Sequence, residues 1–202
     1  MKRMRMYMIV VPFILILLKT ITKLKTIGEN KSVTILNKNV ILSGIVIKEK
    51  IIEDRVLFKE TEEKKMKIIN CVFQNCSSST ENGGAIECCD NDAGLFIQKS
   101  GFVDCSSNLS GGAIFASCNE TEFVMTCFIH TYAQKTGQSV EVNAPIIMND
   151  QLVVFDCGPK EKSSARTASF ISGFTSIQNS NVSSNRPVDK ECGLSFIGCD
   201  TL

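Results

Sequence analysis

Ten cysteines, one histidine and five Asn-x-Ser/Thr triplets are the residues of this chain best equipped for chemistry. Thiols can cross-link, bind zinc or act as nucleophiles, and each role needs its own spacing. Zinc is disfavoured: no Cys-x-x-Cys pair occurs, Cys88 and Cys89 are vicinal, and His130 is the single imidazole. Tetrahedral zinc requires closely paired ligands. A Cys127/His130 nucleophile pair also fails, because residues three apart on a strand face opposite sides. His130 is therefore expected to be structural or solvent-facing. The acidic pair in Cys88-Cys89-Asp90-Asn91-Asp92-Ala93-Gly94 resembles the start of a calcium loop. Gly94 stands where the loop needs an oxygen ligand, and no bidentate Glu follows at the right distance. A turn is expected there. Asp104 and Lys99 have no evident match one repeat away, and no phosphate-binding or dinucleotide fingerprint is present. The sequence thus predicts no catalytic set, no metal and no cofactor.

The opening segment gives the cysteines a context. Lys2, Arg3 and Arg5 precede an uncharged apolar run over residues 6–18. That run is shorter than the roughly 20 residues that cross a bilayer, and it fits the apolar region of an export signal. Lys19-Thr20-Ile21-Thr22-Lys23-Leu24-Lys25 offers no small-x-small cleavage site. Residues 1–25 are read as a signal peptide or signal anchor, with membrane association through this segment. Behind such a signal, cysteines become disulfide candidates. The triplets at Asn30, Asn75, Asn108, Asn119 and Asn181 become glycosylation candidates of a eukaryotic surface protein. A formal net charge of +1 does not call for a nucleic-acid partner.

The elements that would position these groups form a repeat. Cys71-Val72-Phe73-Gln74-Asn75-Cys76-Ser77-Ser78 precedes Asn82-Gly83-Gly84-Ala85-Ile86. Ser100-Gly101-Phe102-Val103-Asp104-Cys105-Ser106-Ser107 precedes Ser110-Gly111-Gly112-Ala113-Ile114. The offset is 29 residues at Phe73/Phe102 and 28 at Gly83/Gly111. Weaker copies continue through Gly137-Gln138-Ser139-Val140 and Gly193-Leu194, with Ile129, Phe155 and Ile177 as later anchors. Each unit holds short β-branched runs separated by glycine turns. Ile86 and Cys88 alternate with Ala85 and Glu87, as in a half-buried strand. Glu87 argues for Ile86 facing inward; Phe115 argues for the opposite face. A unit this short cannot bury its own apolar side, but stacked units can.

The expected fold is therefore all-β: a short right-handed single-stranded parallel β-helix of about five to seven rungs. Residues 26–70 would supply opening rungs or a cap, and 71–202 the Cys-rich repeats. Val33 to Ile47 alternates as an opening rung would, and the mixed-charge run from Lys59 to Lys67 is read as a solvated loop or edge guard. Phe73 should stack on Phe102, and Ile86 on Ile114. Cys76 and Cys105 occupy equivalent places one rung apart, within disulfide reach. They form either a disulfide or a ladder of buried thiols. Cys88 and Cys118 make a second, offset pair. Gly83, Gly84, Gly111 and Gly112 are the turn glycines. The chain stops at Phe196-Ile197-Gly198-Cys199-Asp200-Thr201-Leu202 without a polar cap, which predicts either a covering partner or a longer array.

The paired Gly-Gly-Ala-Ile tetrapeptides, each following a Phe-x-x-polar element, resemble the chlamydial-type polymorphic outer membrane proteins and similar repeats in surface proteins of parasitic protists. The resemblance covers residues 71–115 well and the stretch to Phe196 faintly. The family's Asn in Phe-x-x-Asn is replaced by Cys76 and Cys105, and there is no room for the bacterial membrane barrel. The resemblance implies adhesion to a host or neighbouring cell-surface protein or glycan, at the cell surface or outside the cell. The other readings are a fragment of a carbohydrate-active β-helix, a lyase or hydrolase with clustered charged groups on one sheet face, and an inactive piece of a larger product.

Overall fold

The computed structural model describes residues 65–158, 166–186 and 193–200, with the backbone of the strands Ile41–Ser43, Val46–Ile47 and Val56–Lys59. The residues 1–25 assigned to export, Asn30, Cys192 and most of the opening rungs lie outside this range. Among the described residues the chain is all-β and coils into a parallel β-solenoid of about five turns. Three sheets run along it, of nine, six and three strands, and every strand pair is parallel.

The pairing shows why the repeat folds this way. Phe73 pairs with Phe102, Phe102 with Phe128, Phe128 with Val154 and Val154 with Val182. The rings of Phe73 and Phe102 stack at 4.8 Å and 4° between planes, and those of Phe102 and Phe128 at 5.1 Å and 13°. A second inward column runs Ile86, Ile114, Val140, Ala168, Leu194. Ile86, Cys88, Ile114, Ala116 and Cys118 all point into the core, while Phe115 is half-buried outside between Glu87 and Glu141. The later anchors are shifted from those expected. The true positions are Phe128, Val154 and Val182, not Ile129, Phe155 and Ile177. A one-residue slip reverses the face of a strand, so Ile129 and Phe155 point outward.

The turns carry the conformations that glycine allows. Gly83 and Gly111 sit at φ +68° and +67°. A Cβ on Gly84 would lie 2.2 Å from the carbonyl oxygen of Gly112, and one on Gly112 2.0 Å from that of Gln138. The stack is too close at these corners for a side chain in that direction. Two further corners turn without glycine. Asn70, Lys99, Met125, Gln151 and Asn179 form one left-handed column, and Asn75, Asp104, His130, Asp156 and Ser184 the other. The cost of about 1–2 kcal/mol per residue is offset by bonds between turns: the N–H of Met125 donates to Asp150 O at 2.9 Å, and that of Asp104 to Ile129 O at 3.1 Å.

The charged run at residues 59–67 is not a loop throughout. Lys65–Ile69 is a full strand, with Met66 and Ile68 buried and Lys65 and Lys67 exposed. Its lysines obscure a period-2 pattern whose apolar half is intact.

Candidate interaction face

The outer surface of the nine-stranded sheet is the broadest regular feature of the molecule. It is built from the strands Lys65–Ile69 and Ile146–Asp150 and from the second halves of Ile86–Gln98, Ile114–Val124 and Ala168–Gln178. The parallel register sets outward residues into columns. One runs Lys65, Gly94, Glu120, Ile146, Phe174; the next runs Lys67, Phe96, Glu122, Met148, Ser176. Successive members are about 4.8 Å apart. Chemistry therefore changes rung by rung: two lysines, then glycine and an aromatic ring, then two carboxylates, then two apolar side chains. Lys65 Nζ lies 5.5 Å from the centre of the Phe96 ring, a cation–π contact. Lys65, Lys67, Phe96, Gln98, Glu122 and Val124 border a shallow depression of about 310 Å3. Beyond it Ile146 and Met148 stand 41% and 38% exposed. Lone exposed apolar residues are ordinary, but adjacent ones on a flat strand are a feature of contact surfaces.

A second group sits on the left-handed corner column. His130 Nδ1 lies 3.4 Å from Asp104 Oδ1, and its Nε2 lies 3.1 Å from Asp156 Oδ2. Arg186 Nη2 lies 3.1 Å from the other oxygen of Asp156. Asp104 thus has a match one repeat away, contrary to the expectation from spacing. The misplaced anchor at Ile129 hid it, because counting from Phe128 puts His130 directly above Asp104. The imidazole is half-exposed between two carboxylates, and with Arg186 the ladder ties four turns together. Cys127 does not join it. Its thiol is buried and pushed up to about 12 by loss of solvation, so it carries no thiolate at neutral pH.

The other cysteines are interior. All described cysteines are free thiols. Cys76 and Cys105 stand one turn apart in one column, with Thr131, Cys157 and Asn185 in the equivalent place on later turns. Cys105 Sγ donates to Val103 O at 3.5 Å, and burial beside Cys76 raises its pKa. Cys88 and Cys118 share a thiol hydrogen bond across a diagonal, since the register pairs Cys118 with Asp90; Cys88 is raised by it and Cys118 lowered. Asp90 Oδ1 accepts the N–H of Asp92 at 3.0 Å, a local turn inside a bulge of the strand. Among the described residues no group of three or more His, Cys, Asp or Glu side chains is arranged for a metal.

Compared with protein-family models, curated proteins and solved structures, the chain finds no match. The solenoid geometry and the chemistry of its faces are therefore the grounds for function. Of the glycosylation candidates, Asn108 and Asn119 are exposed and Asn75 and Asn181 half-exposed. Asn108 is engaged on both sides: its Nδ2 donates to Ser79 O and its Oδ1 accepts from Gln134 Nε2, each at 3.1 Å. Among the described residues no helix is long and apolar enough to cross a membrane.

Proposed function

We propose that this chain is a secreted or cell-surface β-solenoid that works as a structural and adhesive module without catalysis. The outer face of the nine-stranded sheet carries the reading. It sets Lys65, Lys67, Phe96, Glu122, Ile146 and Met148 on one rigid ribbed surface, with strand spacing fixed by the ladder. A rigid sheet presents such groups without an ordering cost at contact. The partner class is a protein or glycan of a host or neighbouring cell surface, with no nucleic acid, and the opening segment would associate the chain with a membrane. The repeat supports the resemblance to surface β-helices at one further point. Asn185 follows Val182 by three residues, so the last turn bears the polar Asn that Cys76 and Cys105 replace.

One observation favours the carbohydrate-active alternative. Lys65, Lys67 and Glu122 are three charged side chains around one depression. Phe96 stands between the lysine rung and the carboxylate, however, and a single carboxylate lines the depression where hydrolysis needs two. Binding of beads coated with the full chain to cultured cells and to polysaccharide films tests both readings. Adhesion that falls at least about tenfold in Phe96→Ala/Met148→Asp, with polysaccharides left uncut, supports the module. Chain shortening by the wild type that Glu122→Gln abolishes establishes the enzyme instead, and adhesion unchanged in the double variant removes this face from the function.

A further inference from the structure

We infer that the outer sheet face pairs two copies of this chain, face to face, about a two-fold axis parallel to the strands over the Phe96 rung. This rests on the reading of that face as the contact surface, and it names the occupant as a second copy. The argument is one of charge complementarity. The lysine rung, Lys65 and Lys67, lies one step before Phe96, and the carboxylate rung, Glu120 and Glu122, one step after it, in the same two columns. Such an axis keeps each column over itself and exchanges the rungs on either side of Phe96. Lys65 then meets Glu120 of the second copy and Lys67 meets its Glu122. The reciprocal pairs form at once, as an isologous interface demands. Phe96 meets its own counterpart at the axis, beside Gly94, which has no side chain to obstruct the ring.

Within one copy these groups lack an opposite charge among the described residues, and Lys65 has only its cation–π contact with Phe96. None of Lys65, Lys67, Glu120 and Glu122 has an ion-pair partner among the described residues. Their rungs stand two steps apart, about 9.6 Å, with the Phe96 rung between them, and no direct pair forms across it among the described residues. Opposed sheets pack about 10 Å apart, a gap that a lysine and a glutamate reaching toward each other can close. Aligned sheets also twist by about 30° relative to each other, so the three central rungs hold register best. Those are the rungs that carry the charges and the ring.

The size of the face sets the strength. The three facing rungs by one five-residue strand give about 240 Å2 per copy from ordinary strand dimensions, and about 480 Å2 in total is well below the range of stable complexes. The pairing is therefore weak and concentration-dependent in solution. It gains where many copies face one another across two surfaces.

Sedimentation velocity of the full chain across a concentration series tests this. The wild type should shift from monomer toward dimer as concentration rises, less so in high salt, which screens the pairs. Lys65→Glu/Lys67→Glu and Glu120→Lys/Glu122→Lys should each weaken dimerisation at least tenfold, since like charges then oppose. An equimolar mixture of the two variants should restore it as a heterodimer. These side chains point outward, and circular dichroism checks that both variants fold. A wild type that stays monomeric at every concentration, or a mixture that fails to recover, overturns the proposal. So does the pattern of an acidic glycan site, in which a monomeric wild type is retained on a sulfated polysaccharide resin and only the lysine variant is released. That outcome would leave the adhesive reading standing with a different occupant.

Discussion

The early turns of the solenoid fill one position of the lumen with stacked Phe73, Phe102 and Phe128; the later turns use Val154 and Val182 there. The backbone does not register the exchange, since the pairing of these strands stays parallel and in step. A neighbouring column tells the same story in polar terms. Ile68, Ile97 and Phe123 give way to Asn149, then to Ile177. Asn149 is buried with no hydrogen-bond partner for either side-chain atom among the described residues, and the hydroxyls of Thr121 one turn before it and Thr175 one turn after it are likewise unpaired there. The fold is set by corner geometry and inward volume, and identity is free within those limits. The stability of the two ends should nevertheless differ, because an aromatic stack fills the early lumen and the amide of Asn149 interrupts the apolar column of the later one.

The strongest test removes one inward side chain from each region. Phe102→Ala deletes the middle ring of the stack and should cost about 3–5 kcal/mol. Val154→Ala removes about two methylene equivalents at the same position two turns later and should cost about 2 kcal/mol. Urea unfolding of both variants reads the difference. A loss for Phe102→Ala no larger per carbon removed than that for Val154→Ala would show that the aromatic stack adds nothing beyond ordinary burial.

Replacing the orphaned amide reverses the sign in the later region. Asn149→Leu keeps the branched shape and discards a buried group with nothing to bond, so it should stabilise by about 1–3 kcal/mol where the column yields to the larger methyls. The mirror change in the early region, Ile97→Asn, places the same amide in an apolar column and should destabilise. A thermal melt of Asn149→Leu below that of the wild type would show that the amide is satisfied in solution and that the contrast between the regions is smaller than the side chains imply.

The same contrast explains what could be read from the sequence. The solenoid was legible because Phe73/Phe102 and Gly83/Gly111 recur with side chains that the stack itself demands: a ring that stacks on its equivalent, and a glycine where no Cβ fits. The offset of Cys76 and Cys105 was legible for the same reason. Past Phe115 the position is held by volume alone, so Ile129 and Phe155 looked as suitable as Phe128 and Val154, and the slip followed. The sheet face was harder still. Lys65 and Lys67 point to solvent, where a strand imposes no residue type, and their run of charge read as a loop. Outward columns such as Lys67, Phe96, Glu122 and Met148 contain no repeat at all. They become a surface only when the register aligns turns whose lengths vary from 26 to 30 residues.

The smallest effect belongs to the corners, where the early and later turns differ by the residue asked to adopt a left-handed backbone. Asn70 opens the first column with a side chain suited to that region, and Met125 occupies the same corner two turns on at φ 52°. Both donate their N–H to the following turn, to Gln98 O at 3.0 Å and to Asp150 O at 2.9 Å. The inter-turn bond is the same, so the difference between them is the intrinsic cost of the conformation. Met125→Asn should then stabilise the protein by about 1 kcal/mol. Asn70→Met should lose a similar amount, measured as paired shifts in the urea midpoint at unchanged slope. If Met125→Asn instead destabilises, the half-buried methionine contributes packing that outweighs its strain, and the corner would be a site of specific contact and not only a bend.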